Sequence, residues 1–204
     1  MATRKSQISS AAAGAAAASS APASAAATAA ARKAFVAGNR DGWSWPGPLG
    51  SLSDRYAKYL LAVQREAEKF DKNANVISYA YANYMRPPTA AVLNNRVVIA
   101  LASSLFFPYT DETSREFRSD WKGWSATGAR LVFRPNITLG SHNMPVHFAR
   151  RVGADIQHAF RHGVLATDLD SLTGMWATQG PSLYVIARTQ LPVDKTVDEI
   201  LDEY

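Results

Sequence analysis

The sequence predicts an α/β fold in which the strands of a parallel sheet alternate with helices. Three observations support this prediction. Short apolar runs rich in β-branched and aromatic residues recur along the chain, apolar residues between them recur at three- and four-residue steps, and each apolar run ends at polar or aromatic residues. Strands that alternate with amphipathic helices are typical of βαβ units rather than of a sandwich. We count about five such strands.

The predicted strands are short, and one of them is apolar on both sides. They cover residues 33–37, 76–82, 96–102, 129–134 and 164–168. The run 96–102 is almost continuously apolar, which is expected for a strand of a parallel sheet that is covered on both faces. A doubly wound sheet is the main alternative, but no glycine-rich phosphate loop follows any of these strands.

The predicted helices have recognisable starts and ends. They cover residues 51 or 53 to 70, 111–124, 145–163 and 181–191, with a last turn at 196–201. Ser51 or Ser53 can cap the first helix, and Thr196 can cap the last. Pro145 and Pro181 suit the first turn of a helix, where a missing N–H group has no cost.

Composition divides the chain into a leader and a domain. Residues 1–32 are an Ala/Ser-rich segment without large side chains to bury, so we expect a disordered leader, followed by one domain over 33–204. The basic start and the alanine run imitate a signal or transit peptide only loosely. A secreted, periplasmic or cytoplasmic address therefore stays open. We expect no membrane partner, since no apolar stretch has the length of a span.

Charge argues against a nucleic-acid partner. The chain has a formal charge of +5, yet Arg4, Lys5, Arg32 and Lys33 all precede the first acidic residue, Asp41. Removing these four from the 22 Lys and Arg residues leaves 18 against 17 acidic residues. The domain is therefore close to neutral and lacks the clustered cations that phosphate binding requires.

Several motifs between Asp41 and the end of the chain carry a resemblance to a known family. They are Asp41-Gly42-Trp43, residues 51–56, Ser78-Tyr79-Ala80-Tyr81 with Pro87-Pro88, residues 179–188 and residues 197–204. Together they resemble the bacterial domain-of-unknown-function family numbered 4838, which is related to α-glucuronidases and other barrel glycosidases. The resemblance implies a glycoside-hydrolase-like, partial (β/α)8 TIM-like barrel made of strands four to eight. Asp41 would then lie near the end of the fourth strand and Asp168 near the end of the eighth.

A partial barrel has open sheet edges. Such edges favour pairing with another chain. We therefore expect a homodimer, or a missing N-terminal half-barrel that completes the sheet.

The carboxyl ends of the strands supply the candidate site, because barrel enzymes build their sites there. The candidates for substrate binding are Tyr81, Tyr84, Arg86, Arg134, Asn136 and Asp170, with Trp176 in a following loop; Asn83, Ser103 and Tyr109 also follow strands. Aromatic rings suit the C–H face of a sugar, and arginine suits a uronic-acid carboxylate. Partial burial of the aromatic rings, without any ligand, is the structural alternative.

Two carboxylates at strand ends form the candidate catalytic pair. Glycoside hydrolysis requires one carboxyl group as acid and another as nucleophile or base. Asp41 with Asp168 is the proposed pair, and Asp170 could replace Asp168. For an aspartate beside a glycine, a role in a turn is the alternative. The expected function is a carbohydrate-active, glycoside-hydrolase-like domain that recognises an oligosaccharide; the alternative is a non-catalytic carbohydrate-binding or structural remnant.

We expect neither a metal site nor a cofactor. His158 and His162 have the spacing of a helical metal pair, but Ala159 stands where a zinc protease has glutamate, so we interpret them as surface or packing residues. The chain has no cysteine and no Gly-x-Ser-x-Gly elbow.

Overall fold

The computed structural model describes residues 51–103, 110–137, 147–170, 172, 176–191 and 194–204. The leader, the predicted strand 33–37, Asp41 and Tyr109 lie outside the described residues. The strands are β1 (Val76–Ala80), β2 (Val97–Leu101), β3 (Arg130–Phe133) and β4 (Val164–Thr167). The helices are α1 (Ser53–Glu68), α2 (Asp111–Ala126), α3 (Ala149–Arg161), α4 (Trp176–Thr189) and α5 (Val197–Glu203), with a 3-10 turn at Ala82–Tyr84.

The strands form one parallel sheet in the order β1-β2-β3-β4. Val76 lies opposite Val97, and Ile99 lies opposite Leu131. Each new strand is therefore added on the same side of the previous one, as in a barrel, whereas a doubly wound sheet reverses its strand order. The predicted α/β fold is confirmed, and four of the five predicted strands lie in the described part of the chain in the arrangement of a partial barrel.

The helices cover one face of the sheet with a large apolar core. Strand residues that alternate along β2 and β3 pack there against aromatic and aliphatic residues of α2 and α3. The fully or almost fully buried members include Val97, Ile99, Leu101, Leu131, Phe133, Trp121, Trp124, Val152 and Ile156. Removal of this apolar surface from water is the main source of the fold's stability.

The second face of the sheet carries the alternate strand residues, which point away from the helices. Val98, Ala100 and Val132 form a small buried cluster there, while Ile77 and Tyr79 of β1 are exposed. All residues of β2 are buried, as its apolar run predicted, but β1 is covered on the helical face alone. The second face at β1 is therefore accessible to a ligand.

Some predicted helix boundaries were wrong. Leu52 is the N-cap of α1, and Oγ of Ser51 accepts a hydrogen bond of 3.1 Å from the amide of Ser53, the first residue of the helix. Phe70 lies beyond the end of α1 and is exposed. Pro181 lies inside α4 rather than at its start, and Trp176 begins this helix rather than lying in a loop. The periodicity before Pro181 is weak, which hid the first part of α4. Thr196 caps α5 as predicted, through a capping box with Glu199.

Across the part of the chain that the structure describes, no helix is both long and apolar enough to cross a membrane.

Candidate functional site

Arg134 organises a cluster of polar side chains just beyond the carboxyl end of β3. Its Nη2 lies 2.8 Å from Oδ2 of Asp170, and its Nε lies 3.7 Å from Oδ2 of Asp168. Its Nη1 donates a hydrogen bond of 2.7 Å to Oδ1 of Asn136. We call Arg134, Asn136, Asp168 and Asp170 the rim cluster.

Backbone pairing continues past the strands and fixes the position of the rim cluster. The amide of Asp168 donates to the carbonyl of Phe133 at 2.9 Å, and the amide of Asn136 donates to the carbonyl of Ser103 at 2.9 Å. Asn136 and Asp170 form a further parallel bridge. The polar residues that follow β2, β3 and β4 are therefore held in one extension of the sheet.

Tyr79 of β1 completes this site from the second face of the sheet. The guanidinium carbon of Arg134 lies 4.7 Å from the centre of the Tyr79 ring, within the range of a cation–π interaction. Tyr79 lies opposite Ala100, and Ala100 lies opposite Val132, two residues before Arg134. Residues two apart in a strand share a face, and the small side chain of Ala100 leaves room between the arginine and the tyrosine.

Exposure differs sharply between the cation and the anions of the rim cluster. The side chain of Arg134 is 16% exposed, whereas those of Asp170 and Asp168 are 33% and 57% exposed. Tyr79 is 47% exposed. A molecule that approaches this edge of the sheet therefore meets carboxylate oxygens and an aromatic ring before it meets the guanidinium group.

The carboxyl ends of β1 and β2 contain two further local signs of a site. Ala82, the second residue after β1 and the first of the 3-10 turn, has a positive φ of 47°, a conformation that is uncommon for residues other than glycine. Ser103 is buried after β2, and its Oγ has no hydrogen-bond partner among the residues that the structure describes. Strained backbone and unpaired polar groups both occur preferentially at functional sites.

Tyr84 packs against α1 at this edge of the sheet. The ring of Tyr84 stacks on Tyr56 of α1, with centroids 3.9 Å apart and planes 16° from parallel. Burial raises the pKa of Tyr84, and the neighbouring Tyr56 and Tyr81 raise it further. Tyr84 is thus anchored to a helix, and the half-buried Tyr81 lies beside it.

Arg86 lies in a second cluster, whose carboxylates belong to helix α2. It forms ion pairs with Glu116 at 2.9 Å and with Asp120 at 3.0 Å, both on α2. We call Arg86, Glu116 and Asp120 the helix cluster. Burial raises the pKa of Asp120 to about 6, although Arg86 acts in the opposite direction. Both guanidinium ends of Arg86 are therefore occupied by protein carboxylates.

Trp176 lies beside Tyr204, the last residue of the chain. Trp176, the first residue of α4, is exposed, with its ring centre 5.8 Å from that of Tyr204. Asp41 lies outside the described residues. The structure therefore brings together four of the predicted residues, Arg134, Asn136, Asp168 and Asp170. Sequence reasoning missed Tyr79, although its alternation with Tyr81 in Ser78-Tyr79-Ala80-Tyr81 placed it on the same strand face.

The two histidines with metal-pair spacing, His158 and His162, pack against each other. The rings of His158 and His162 stack with centroids 4.0 Å apart, and His158 also contacts Phe117. Burial lowers the pKa of His158 to about 4, and His162 and Arg118 lower it further. Among the described residues, no group of three or more histidine, aspartate or glutamate side chains is arranged to hold a metal ion.

A parallel sheet wound in sequential order, with charged and aromatic side chains at the carboxyl ends of its strands, defines an α/β protein of the barrel type. The sequence model of the family described as "Domain of unknown function (DUF4838)" matches residues 49–204, and the chain belongs to this family. No curated protein and no solved structure matches the chain significantly.

Proposed function

We propose that this domain binds a carbohydrate at the rim cluster and Tyr79. The observation that carries the proposal is the convergence on Arg134 of two partly exposed carboxylates and an exposed tyrosine ring, contributed from β1 and from beyond β3 and β4. The site lies at the carboxyl edge of a parallel sheet, where barrel proteins place their ligands.

The chemistry of these groups matches the two surfaces of a sugar ring. The exposed face of Tyr79 can pack against the apolar C–H face of a pyranose. Asp168 and Asp170 retain carboxylate oxygens that can accept hydrogen bonds from hydroxyl groups, and hydrogen bonds to ionised acceptors are stronger than neutral ones. An aromatic platform bordered by a few oriented polar groups is typical of small-molecule sites.

The interactions of Arg134 also hold the site in place before a ligand arrives. Its guanidinium group contacts Asp168, Asp170, Asn136 and Tyr79 at once. Side chains that are already fixed lose little conformational entropy on binding, so more of the interaction free energy appears as affinity. Arg134 is therefore a positioning residue, while Tyr79, Asp168 and Asp170 contact the ligand.

Glycoside hydrolysis is the second candidate function. Asp168 favours it, because this carboxylate is the most exposed member of the rim cluster and lies 3.7 Å from Arg134, beyond a short hydrogen bond. Hydrolysis requires a second carboxyl group across the scissile bond, and Asp41 is the proposed partner. In this version Asp168 would act as nucleophile or base, with the sugar stacked on Tyr79.

Binding can be tested by isothermal titration of the purified chain with a panel of neutral and acidic oligosaccharides. Tyr79→Ala and Asp170→Asn are each expected to weaken binding about tenfold, the loss typical of a central contact. Tyr59→Ala on α1 and Asp198→Asn on α5 are matched controls, because they remove an exposed tyrosine and a surface-paired carboxylate elsewhere.

The outcomes separate the two candidate functions. Equal affinities in all four variants, or no binding to any sugar, would contradict the proposed site. Hydrolysis is measured separately, by release of reducing ends from every ligand that binds. Loss of hydrolysis in Asp168→Asn with binding retained would support catalysis, whereas binding without turnover by the unaltered chain would leave recognition as the function.

A further inference from the structure

The rim cluster has an excess of negative charge, and that charge is on its exposed side. One guanidinium group pairs with two carboxylates, Asp168 and Asp170. The cluster therefore carries one net negative charge when both carboxylates are ionised. The cation is the least exposed of the three, so a ligand at the surface contacts the carboxylates more readily than the guanidinium group.

We infer that the site selects neutral sugars and excludes uronic acids, an inference that rests on the proposed carbohydrate function. A uronate ring would bring its own carboxylate to within a few ångströms of Asp168 and Asp170. Like charges at that distance repel, and burial of the site by the ligand strengthens the repulsion. A hydroxyl group in the same place donates a hydrogen bond to the same oxygens.

Arg134 has no edge left for a uronate. Its Nη2 faces Asp170 at 2.8 Å, and its Nη1 donates to Asn136 at 2.7 Å. Its Nε lies 3.7 Å from Asp168 and makes no hydrogen bond within the described residues, but it is buried, so a ligand does not reach it. Its guanidinium carbon lies 4.7 Å from the centre of the Tyr79 ring. A uronate carboxylate could reach the guanidinium only by displacing an aspartate, which would then lose its cation in a partly buried position.

The second arginine that could have paired with a uronate is also occupied. Arg86 binds Glu116 and Asp120 through its two terminal nitrogens. The arginines that follow the strands of the described sheet are thus both neutralised by protein carboxylates. Bidentate recognition of an acidic sugar, which the sequence suggested, has no partner among them.

The test compares sugars that share a backbone and differ in the charge of the substituent at C6. Methyl-esterified oligogalacturonides are matched with the free acids, and cello-oligosaccharides with their C6-oxidised forms. At low salt we expect each neutral member to bind about tenfold more tightly than its acidic counterpart. The ratio should shrink as salt is added, because the repulsion is screened.

Removal of one negative charge from the rim cluster should reduce the ratio of the affinity for the neutral sugar to the affinity for the acidic sugar. In Asp170→Asn, and in Asp168→Asn as the more exposed second variant, the preference for the neutral member should fall to about twofold or less. Asp198→Asn, which loses a carboxylate on α5, should keep the original ratio. The ratio within one variant is the readout, so a general loss of affinity does not affect it.

The results distinguish this inference from the function on which it rests. Tighter binding of the acidic member, or a ratio that neither variant changes, would overturn the inference and leave carbohydrate binding standing. Failure of every neutral and acidic sugar to bind would overturn the proposed function and the inference together.

Discussion

Two clusters, in each of which one arginine pairs with two carboxylates, differ in which group is buried most deeply. In the helix cluster the carboxylate of Asp120 is 8% exposed, Arg86 is 32% exposed and Glu116 is 47% exposed. In the rim cluster Arg134 is 16% exposed and its two aspartates are more exposed than the cation. A buried carboxylate destabilises the folded protein unless a cation pairs with it. Carboxylates that are more exposed than their cation keep oxygens that can accept hydrogen bonds from a ligand. We therefore propose that the more deeply buried partner determines whether such a cluster contributes to stability or to recognition.

The largest expected effect follows from removing the cation of the helix cluster. Arg86→Met leaves Asp120 buried without its partner, and we expect the free energy of unfolding to fall by about 3 kcal/mol. Urea denaturation followed by circular dichroism measures this change. The double variant Arg86→Met with Asp120→Leu removes both charges and should regain most of the loss. A single variant as stable as the unaltered chain would show that this pair does not support the fold.

A smaller loss of stability is expected from a substitution at Gly123 of α2, where the loop that carries Arg86 packs on this helix. A Cβ atom added at Gly123 would lie 2.4 Å from Cγ and 2.9 Å from Cβ of Pro87. Gly123→Ala should therefore cost about 2 kcal/mol, because overpacking outweighs the gain in helix propensity. Gly163→Ala is the comparison, since a Cβ there meets nothing within 4 Å and only the positive φ of 75° opposes it. If Gly123→Ala were stabilising, the loop that carries Arg86 would be loosely packed.

The helix cluster should also make stability depend on pH. The pKa of Asp120 is raised to about 6 by burial, above the ordinary value near 3.8 that applies in the unfolded chain. The unfolded chain therefore loses its proton first, and the stability present below pH 3.8 declines as the pH rises through 6. We expect the free energy of unfolding to fall by about 1 to 2 kcal/mol between pH 4 and pH 7.

Asp120→Asn should remove this part of the pH dependence. Burial also raises the pKa of Asp155 to about 6, so Asp155→Asn should remove a second, separate part. Urea denaturation of each variant at pH 4 and pH 7 tests both statements. An unchanged difference between the two pH values in Asp120→Asn would contradict the assignment to this carboxylate.

The sequence predicted the sheet much better than the site. Strands β1 to β4 lie inside the predicted runs because short runs rich in β-branched and apolar residues favour strands, and α2 begins at the predicted Asp111. The prediction of α4 was wrong at its start because Pro181 is tolerated inside the helix. Local periodicity therefore predicts helices and strands well where one face is strongly apolar, and poorly where no face is strongly apolar.

The site could be predicted only in part, because position after a strand does not determine which neighbours a side chain meets. Arg86 and Arg134 both follow strands, yet Arg86 pairs with α2 and Arg134 with the ends of β4 and β1. The acidic partners of Arg86 lie about one helical turn apart on α2, and their distance from Arg86 in sequence gives no sign of the pairing. Tertiary contacts of this kind are absent from any local pattern.

The smallest expected effect on stability, and the sharpest test of the comparison, comes from the rim cluster. Arg134→Ala leaves Asp168 and Asp170 unpaired, but both are partly exposed and can be hydrated, so we expect a loss of about 1 kcal/mol or less. Carbohydrate binding should nevertheless weaken about tenfold, because the two carboxylates repel each other and lose their fixed positions beside Tyr79. Urea denaturation and isothermal titration of the same preparation measure both quantities.

The opposite pattern is expected for Arg86→Met, which should bind carbohydrate with unchanged affinity at a temperature where it is folded. Arg134→Lys refines the test, because lysine keeps the charge but lacks the planar fork that reaches Asp170 and Asn136 together. Carbohydrate binding by Arg134→Lys should remain weak if the geometry of the guanidinium group is required. It should return to the affinity of the unaltered chain if the positive charge alone is required. A loss of stability in Arg134→Ala as large as that in Arg86→Met would mean that both clusters are structural, and that exposure of the anions does not mark a binding site.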